Sequence, residues 1–512
     1  MKTTPILRWR EVIIAIFLPL GLAGGARYLF QRAQRQGEIA AGQQTQKRIA
    51  DPADAAKASA DTIEMDIDAA LKLESNGDYA AAEPILRRVI ETRERLLGPD
   101  HPDTLASLHE LAKMLDDKAD HAAAEPFYRR IFEARAHALG AEHQDTLASM
   151  DELATVLANM SVTGQGRDRG EEAMSLFRRV IEVRERILGP DHRDTLASVA
   201  SLAICVHNQV GNKEAEPFYR RVFEARTRTL GPEHHDTLES GDNLAALLAN
   251  GTGHKEAEDL LRRALEIRER TLGPDHPDTL LSVDRLALRL RHSGKHPAAE
   301  PFYRRSVEAR LRLFGPVHDE TLRAMTTFAD SLRDARKYAE AEAFYRQVLE
   351  IRERTLGQGQ PKTLYATTRL ASFLSSNGKS DEAESLYRRA LETSERVLGP
   401  DHRDTVACRM NFAGFLTEQG DYAGAEPLRR RNMETYARLH GPGDVGTCMR
   451  AIELADVLKK TGKMAEAKAL AWRAYRALAK VRDMQSPWVQ DARKLLLEMG
   501  ETVPEKPEPE GK

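Results

Sequence analysis

An all-α solenoid is the fold class this sequence predicts, and three observations predict it. The segment LGPDHPDTL at Leu97–Leu105 returns along the chain with small variations. Its glycine recurs at Gly98, Gly140, Gly189, Gly231, Gly273, Gly315, Gly357, Gly399 and Gly441, 42 residues apart except for one gap of 49. Between the glycines, apolar residues fall three or four apart, the spacing that gathers them on one face of a helix. A period of this length marks stacked units, each of which buries its apolar face on its neighbours. About ten helical hairpins are expected over residues 59–484, closed by a capping helix over 485–500 and followed by a disordered tail at 501–512.

Composition fits a folded, solvated chain. Of its 512 residues, 41% are hydrophobic and 30% charged, and 76 Lys and Arg nearly balance 79 Asp and Glu. Phosphate binding needs concentrated positive charge, so nucleic acid is not an expected partner. Cys205, Cys408 and Cys448 form no CxxC pair, so they read as buried small hydrophobes.

At the amino end, Val12–Ala26 carries no charge and follows Lys2, Arg8 and Arg10. Extended to Phe30 as a helix it rises about 28 Å, close to a hydrocarbon core of about 30 Å. Trp9 and Tyr28 flank it as interfacial aromatics would, so residues 1–30 read as a single-pass membrane anchor. The small residues Gly24 and Ala26 leave a cleaved export signal open, with a secreted or periplasmic product. Arginines on both flanks decide no orientation, and the repeats are expected outside the cytoplasm. Residues 31–58, rich in Ala, Gln and Arg, read as a linker.

Within one repeat, Leu105, Leu108, Leu111, Ala112 and Leu115 share a face of a first helix, and Ala124, Tyr128 and Ile131 line the inner face of a second. Gly140 closes the second helix by reaching the left-handed conformation without steric penalty. Prolines such as Pro99, Pro190 and Pro274 stop it from running on. Asp100 or a neighbour is the expected N-cap of the next helix, with Asp103 near its positive end. Pro84, Pro126, Pro217, Pro301 and Pro427 are expected in the first turn of the second helix, where no intrahelical acceptor is lost.

The small-and-large alternation at Ala112, Ala124 and Ile131 resembles the tetratricopeptide repeat. The period and the motif LGPDHPDTL, seen again in AEDLLRRALEIRERTLGPDHPDTL at Ala257–Leu280, resemble more narrowly the repeats of kinesin light chains and related bacterial proteins. The resemblance implies a right-handed superhelix whose first helices line a groove for a peptide or partner helix. Unlike a motor subunit, the chain shows a hydrophobic segment and no long heptad coiled coil ahead of its repeats.

In kinesin light chains an asparagine pair often precedes the Leu-Ala of the first helix. Here the first of those positions holds His109, Asp151, Ala200, Asp242, Asp284, Thr326, Thr368, Met410 and Ile452, so that asparagine ladder is absent. Two turns further on, Asn159, Asn208 and Asn250 recur at one position, with His292 next in line. A row of amides, offering donor and acceptor alike, can hold a peptide backbone. Arg291 and Arg333 stand beside that row and could pair a carboxylate. Asn159, Asn208, Asn250, His292, Asp242, Asp284, Arg291 and Arg333 are therefore the groove candidates, and helix capping is the competing role for the Asn and Arg positions.

Catalysis has no footing in the motifs. The repeated histidines (His101, His143, His192, His234, His276, His318, His402) lie two helices apart and cannot share an ion whose bonds are about 2 Å. TGQGRDRG at Thr163–Gly170 follows no strand, so it reads as a surface loop and not a phosphate cradle. No enzyme, cofactor, metal or small-molecule substrate is expected. The function expected is a membrane-tethered scaffold for a protein or peptide partner, with self-assembly in the envelope as the alternative and a cargo adaptor further behind.

Overall fold

The computed structural model describes residues 52–504 apart from 163–166, 250, 252, 482–483 and 485. The apolar segment Val12–Ala26, most of the linker and the last eight residues lie outside the described residues. Among the described residues the only regular structure is helical, and no helix is long and apolar enough to cross a membrane.

The chain divides into two compact units, the first ending at Gly231 and the second beginning at Pro232. In the first, four hairpins follow in order: α1 (Pro52–Ser75) with α2 (Tyr79–Leu97), α3 (Pro102–Asp117) with α4 (His121–Leu139), α5 (Gln144–Val162) with α6 (Arg167–Ile187), and α7 (Arg193–Gln209) with α8 (Asn212–Leu230). In the second they are α9 (His235–Ala249) with α10 (His254–Leu272), α11 (Pro277–His292) with α12 (His296–Phe314), α13 (Asp319–Asp334) with α14 (Tyr338–Leu356), and α15 (Pro361–Ser376) with α16 (Ser380–Val397). Then come α17 (Arg403–Glu418) with α18 (Tyr422–His440), α19 (Val445–Lys460) with α20 (Met464–Val481), and the closing helix α21 (Pro487–Glu498). Helix α1 starts inside the segment read as linker. Inside each unit every helix packs on the next, and α5 also touches α7 as α15 touches α17.

The motif LGPDHPDTL makes the joint between hairpins. Gly98 holds φ near +98° and its amide bonds the Glu94 carbonyl, ending α2. Of Asp100 and its neighbours, His101 is the residue that caps α3: its Nδ1 accepts from the Asp103 amide at 3.2 Å. The same bond recurs at His143, His192, His234, His276, His318 and His402. An imidazole replaces the carboxylate because its ring nitrogen reaches the amide two residues on from an extended backbone. Thr104 then donates to the Gly98 carbonyl at 2.9 Å, so the second helix of one hairpin and the first of the next are tied backbone to side chain.

An arginine, partly buried at the first joints and buried at others, braces the joint from the other side. Arg93 donates to Ser107 Oγ at 2.7 Å, Arg135 to Ser149 at 2.7 Å and Arg268 to Ser282 at 2.5 Å. Where α16 has Ser394 at this position, the guanidinium comes instead from Arg409 of α17, fully buried and donating to the Pro400 carbonyl at 2.9 Å. At the next joint Tyr436 and Arg450 exchange the roles, the guanidinium lying 5.7 Å from the ring centroid.

Each internal proline is the sixth residue of its helix, not part of the first turn. Its missing N–H frees the carbonyl of Ala80, Ala122, Lys213, Pro297 or Ala423, all exposed residues, so water replaces the lost acceptor contact. The segment at Thr163–Gly170 is only in part a loop. Helix α6 starts at Arg167, and Gly170 is buried where a Cβ would meet the Gln209 side chain at 2.5 Å.

The core follows the expected faces: Leu108, Leu111, Ala112, Ala124 and Ile131 are all buried. The three cysteines are buried and free, and burial pushes the Cys205 and Cys408 thiols up to about 11. At the carboxy end α19, α20 and α21 share one apolar cluster, which Val503 completes. Residues 501–504 are therefore packed and not a free tail: Tyr475 donates to the Pro504 carbonyl at 2.7 Å and Trp472 to Glu501 at 3.0 Å.

Candidate functional site

The first helices keep one side out of the core. On α9 that side carries Asn243 and Ala246, and on α11 it carries Leu281, Arg285, Leu288 and His292. Between these two helices opens a cleft of about 250 Å³, with Leu261 of α10 at its base and Ala245, Ala246, Ala249 and Leu288 along its walls. Asp242, Arg285, Arg289 and His292 supply its polar groups.

Asp242 is 2% exposed and accepts from Arg268 at 2.8 Å and from Arg285. One carboxylate oxygen bridges both guanidiniums, while the other, Oδ1, is buried without a hydrogen-bond partner. Arg289 is 6% exposed and reaches only two backbone carbonyls, Ala249 at 3.3 Å and His254 at 3.4 Å. Its Nε has no partner.

Sequence reasoning placed several of these groups differently. Asp242 and Asp284 were expected to face a groove; Asp242 does line the cleft, but an arginine of a second helix engages each carboxylate, Arg268 of α10 at Asp242 and Arg310 of α12 at Asp284. Asp284 accepts from Ser306 at 2.5 Å and Arg310 at 2.7 Å, and Asp151 likewise accepts from Arg184 of α6. The buried joint arginines draw these carboxylates inward, because an unpaired guanidinium there would be costly. Arg291 and Arg333 do not stand free for an outside carboxylate, since both bond Asp334, at 2.6 Å and 2.9 Å. Burial alone would raise the Asp334 carboxyl, yet these two guanidiniums hold it below its usual value.

The asparagine row divides between the units. Asn159 on α5 is half-buried and already engaged, Asn208 on α7 is exposed, and Asn250 lies outside the described residues. His292 is exposed at the rim of the cleft. Sequence reasoning missed Arg285, Leu288 and above all Arg289. For Arg289 a signal was present: its register position is apolar in most other repeats.

His235, Asp236 and Glu239 in the first turn of α9 bring possible ligand atoms within 4.8 Å of one another. Two are exposed, and Asp236 already has an interaction of its own.

In-phase helical hairpins, joined by one repeated motif and leaving their first helices open on one side, define a helical-repeat protein. Profiles of the tetratricopeptide repeat match residues 61–137, 241–312 and 281–354, and a second variant matches 146–194, 196–236, 363–404 and 405–445. Together they cover more than half of the chain, which belongs to the tetratricopeptide repeat family. No curated protein matches it. Similar solved structures include a putative kinesin light chain with nearly identical TPR-like repeats from Podosopora anserina, 24% identical over 41% of this chain and 99% of that one (TM-score 0.36). BtubC (BKLC) from P. vanneervenii is 20% identical over 51% and 98% (TM-score 0.38), and the apo form of RapI is 13% identical over 82% and 98% (TM-score 0.42).

Proposed function

We propose that this protein is a non-catalytic scaffold that holds a peptide or partner helix against the open side of its first helices, with the α9–α11 cleft as the main contact. The observation that carries the reading is the cleft itself: small apolar walls, a leucine base, and polar groups at the rim are the composition of a recognition site. Val12–Ala26 supplies the second half of the proposal, a membrane tether with the repeats outside the cytoplasm, or an export signal removed on maturation. A photo-crosslinking residue at Ala246, compared with one at the exposed Arg263 of α10, tests the scaffold. Adducts from position 246 alone support it, and equal adducts from both, or none, overturn it. Protease accessibility in intact and opened cells tests the tether.

Self-assembly is a second reading, favoured by one recurring feature. Leu97, Leu139, Leu230, Leu272 and Leu356 end their helices 43–47% exposed. Light scattering of a strict monomer removes this alternative.

A further inference from the structure

His235 opens α9 at a position where the other joints carry Pro, Gln, Arg, Asp or Val. Glu239, four residues on, stands where they carry Ala, Leu, Arg, Tyr or Met. No other repeat makes either change, and this one makes both. His235 is not one of the repeated capping histidines: its neighbour His234 makes the cap, accepting from the Asp236 amide at 3.2 Å. Residues i, i+1 and i+4 meet on one side of a helical turn, since the last lies over the first and three on from the second. The imidazole and the carboxylates of Asp236 and Glu239 accordingly bring ligand atoms within 4.8 Å of one another. A fourth group comes from the next hairpin, where Asp278 in the first turn of α11 sets a carboxylate oxygen 3.9 Å from His235 Nδ1. Each helix start carries roughly half a positive charge, so three carboxylates at the starts of α9 and α11 leave about two negative charges, the deficit that one dication fills.

We propose that His235, Asp236 and Glu239 of α9, with Asp278 of α11, hold one zinc-class divalent cation that ties the first helices of two successive hairpins together at their starts. The imidazole sets the class. Calcium and magnesium take oxygen ligands, whereas a mixed set of nitrogen and carboxylate oxygen suits zinc. Zinc bonds of about 2.0–2.2 Å place neighbouring donors of a tetrahedron about 3.4 Å apart, so the groups must close by about 1 Å. His235 and Glu239 are exposed, and rotation of their side chains covers that distance. The same two helices wall the cleft further along, so the bound ion fixes their spacing at one end of it. The repeated histidines cannot do this, because they stand two helices apart; His235 does it with groups of its own turn and the next first helix.

The test uses the full-length protein, stripped of metal with a chelator and titrated with zinc chloride by calorimetry. Saturable binding of one zinc per chain is expected, undiminished by excess calcium or magnesium. His235→Pro and Glu239→Ala put back residues that other repeats carry there, such as Pro277 and Ala106, so both should fold like the parent. Each of them, and Asp278→Asn, should weaken zinc binding about tenfold or more, at least the loss that follows when a supporting group is removed from a metal site. His318→Asn, at the cap of α13, is the control and should leave the affinity unchanged. Amide exchange should slow on zinc binding in the first turns of both α9 and α11. Absence of saturable binding, binding that survives His235→Pro or Asp278→Asn, or equal competition by magnesium overturns the proposal. An equal loss in His318→Asn marks scattered binding by surface imidazoles and overturns it as well, and slowed exchange in α9 alone removes the bridge.

Discussion

Replacing Asp242 by alanine should be one of the most damaging single changes in the second unit. The carboxylate is 2% exposed and its partner Arg268 4% exposed, so the variant leaves a buried guanidinium bonded only to Ser282. Removing one member of such a pair costs about 3–5 kcal/mol, far more than the pair adds over an apolar substitute. Arg285 is half-exposed and loses little when water replaces its partner. The exposed pair Arg270–Glu233 is the control, and Glu233→Ala should cost less than about 1 kcal/mol. Because a repeat array unfolds in parts, urea titration should be read together with amide exchange resolved to α9, α10 and α11. Exchange there should quicken selectively, and the double variant Asp242→Leu with Arg268→Met should recover most of the loss. An Asp242→Ala chain within about 0.5 kcal/mol of the parent, or no worse than Glu233→Ala, would refute the claim that this ion pair braces the joint.

Further consequences are open to measurement. Ala119 and Arg336 sit at φ of 62° and 61° where Gly77, Gly294, Gly378, Gly420 and Gly462 stand in other hairpins, so Ala119→Gly and Arg336→Gly should each raise stability by about 0.5–1 kcal/mol in thermal denaturation; a drop would contradict the strain argument. His276→Ala removes the cap of α11 and should cost about 1 kcal/mol, whereas His276→Asn should keep most of it. Glu258, Glu300, Glu342 and Glu426 each accept from the lysine of the next hairpin, at 2.7, 2.8, 2.7 and 2.7 Å, and those bonds hold all four carboxyls below 4.5. Their contribution is complete above 4.5 and fades as pH falls through the lowered values, so a fourfold Glu→Gln variant should show a shallower acid limb in stability against pH. Buried, weakly acidic Cys205 and Cys408 should label with thiol reagent only after urea is added.

The hairpins were readable because burial repeats with the helical period: Leu108, Leu111 and Leu115 announce their face without any tertiary knowledge. Their joints were less so. His101 looks like a reactive group until the helix start is located to the residue, and Pro84 looks like a start signal until α2 is seen to begin five residues earlier. Groove residues were harder still, because positions one apart on a first helix part company between cleft and core. Asp242 is buried at the edge of the cleft and tied to Arg268 while Asn243 stays exposed, a difference of about 100° around the helix that no spacing rule resolves without the packing partner. Arg289 was legible in part, since aligning the repeats column by column leaves it and Lys72 of the first hairpin as the two cations, and only the structure shows that Arg289 is the buried one.

The relocated guanidinium at Arg409 has a consequence for the gene. Most joints draw their cation from the outgoing helix, but this one draws it from the incoming helix. An unequal crossover that fused α10 to α17 in frame would preserve length and period, yet would set Arg268 and Arg409 against the same corner. The reciprocal product, α16 joined to α11, would have Ser394 opposite Ser282 and no cation at all. Copies so alike in sequence are therefore not exchangeable parts, and this corner should resist any exchange between repeats.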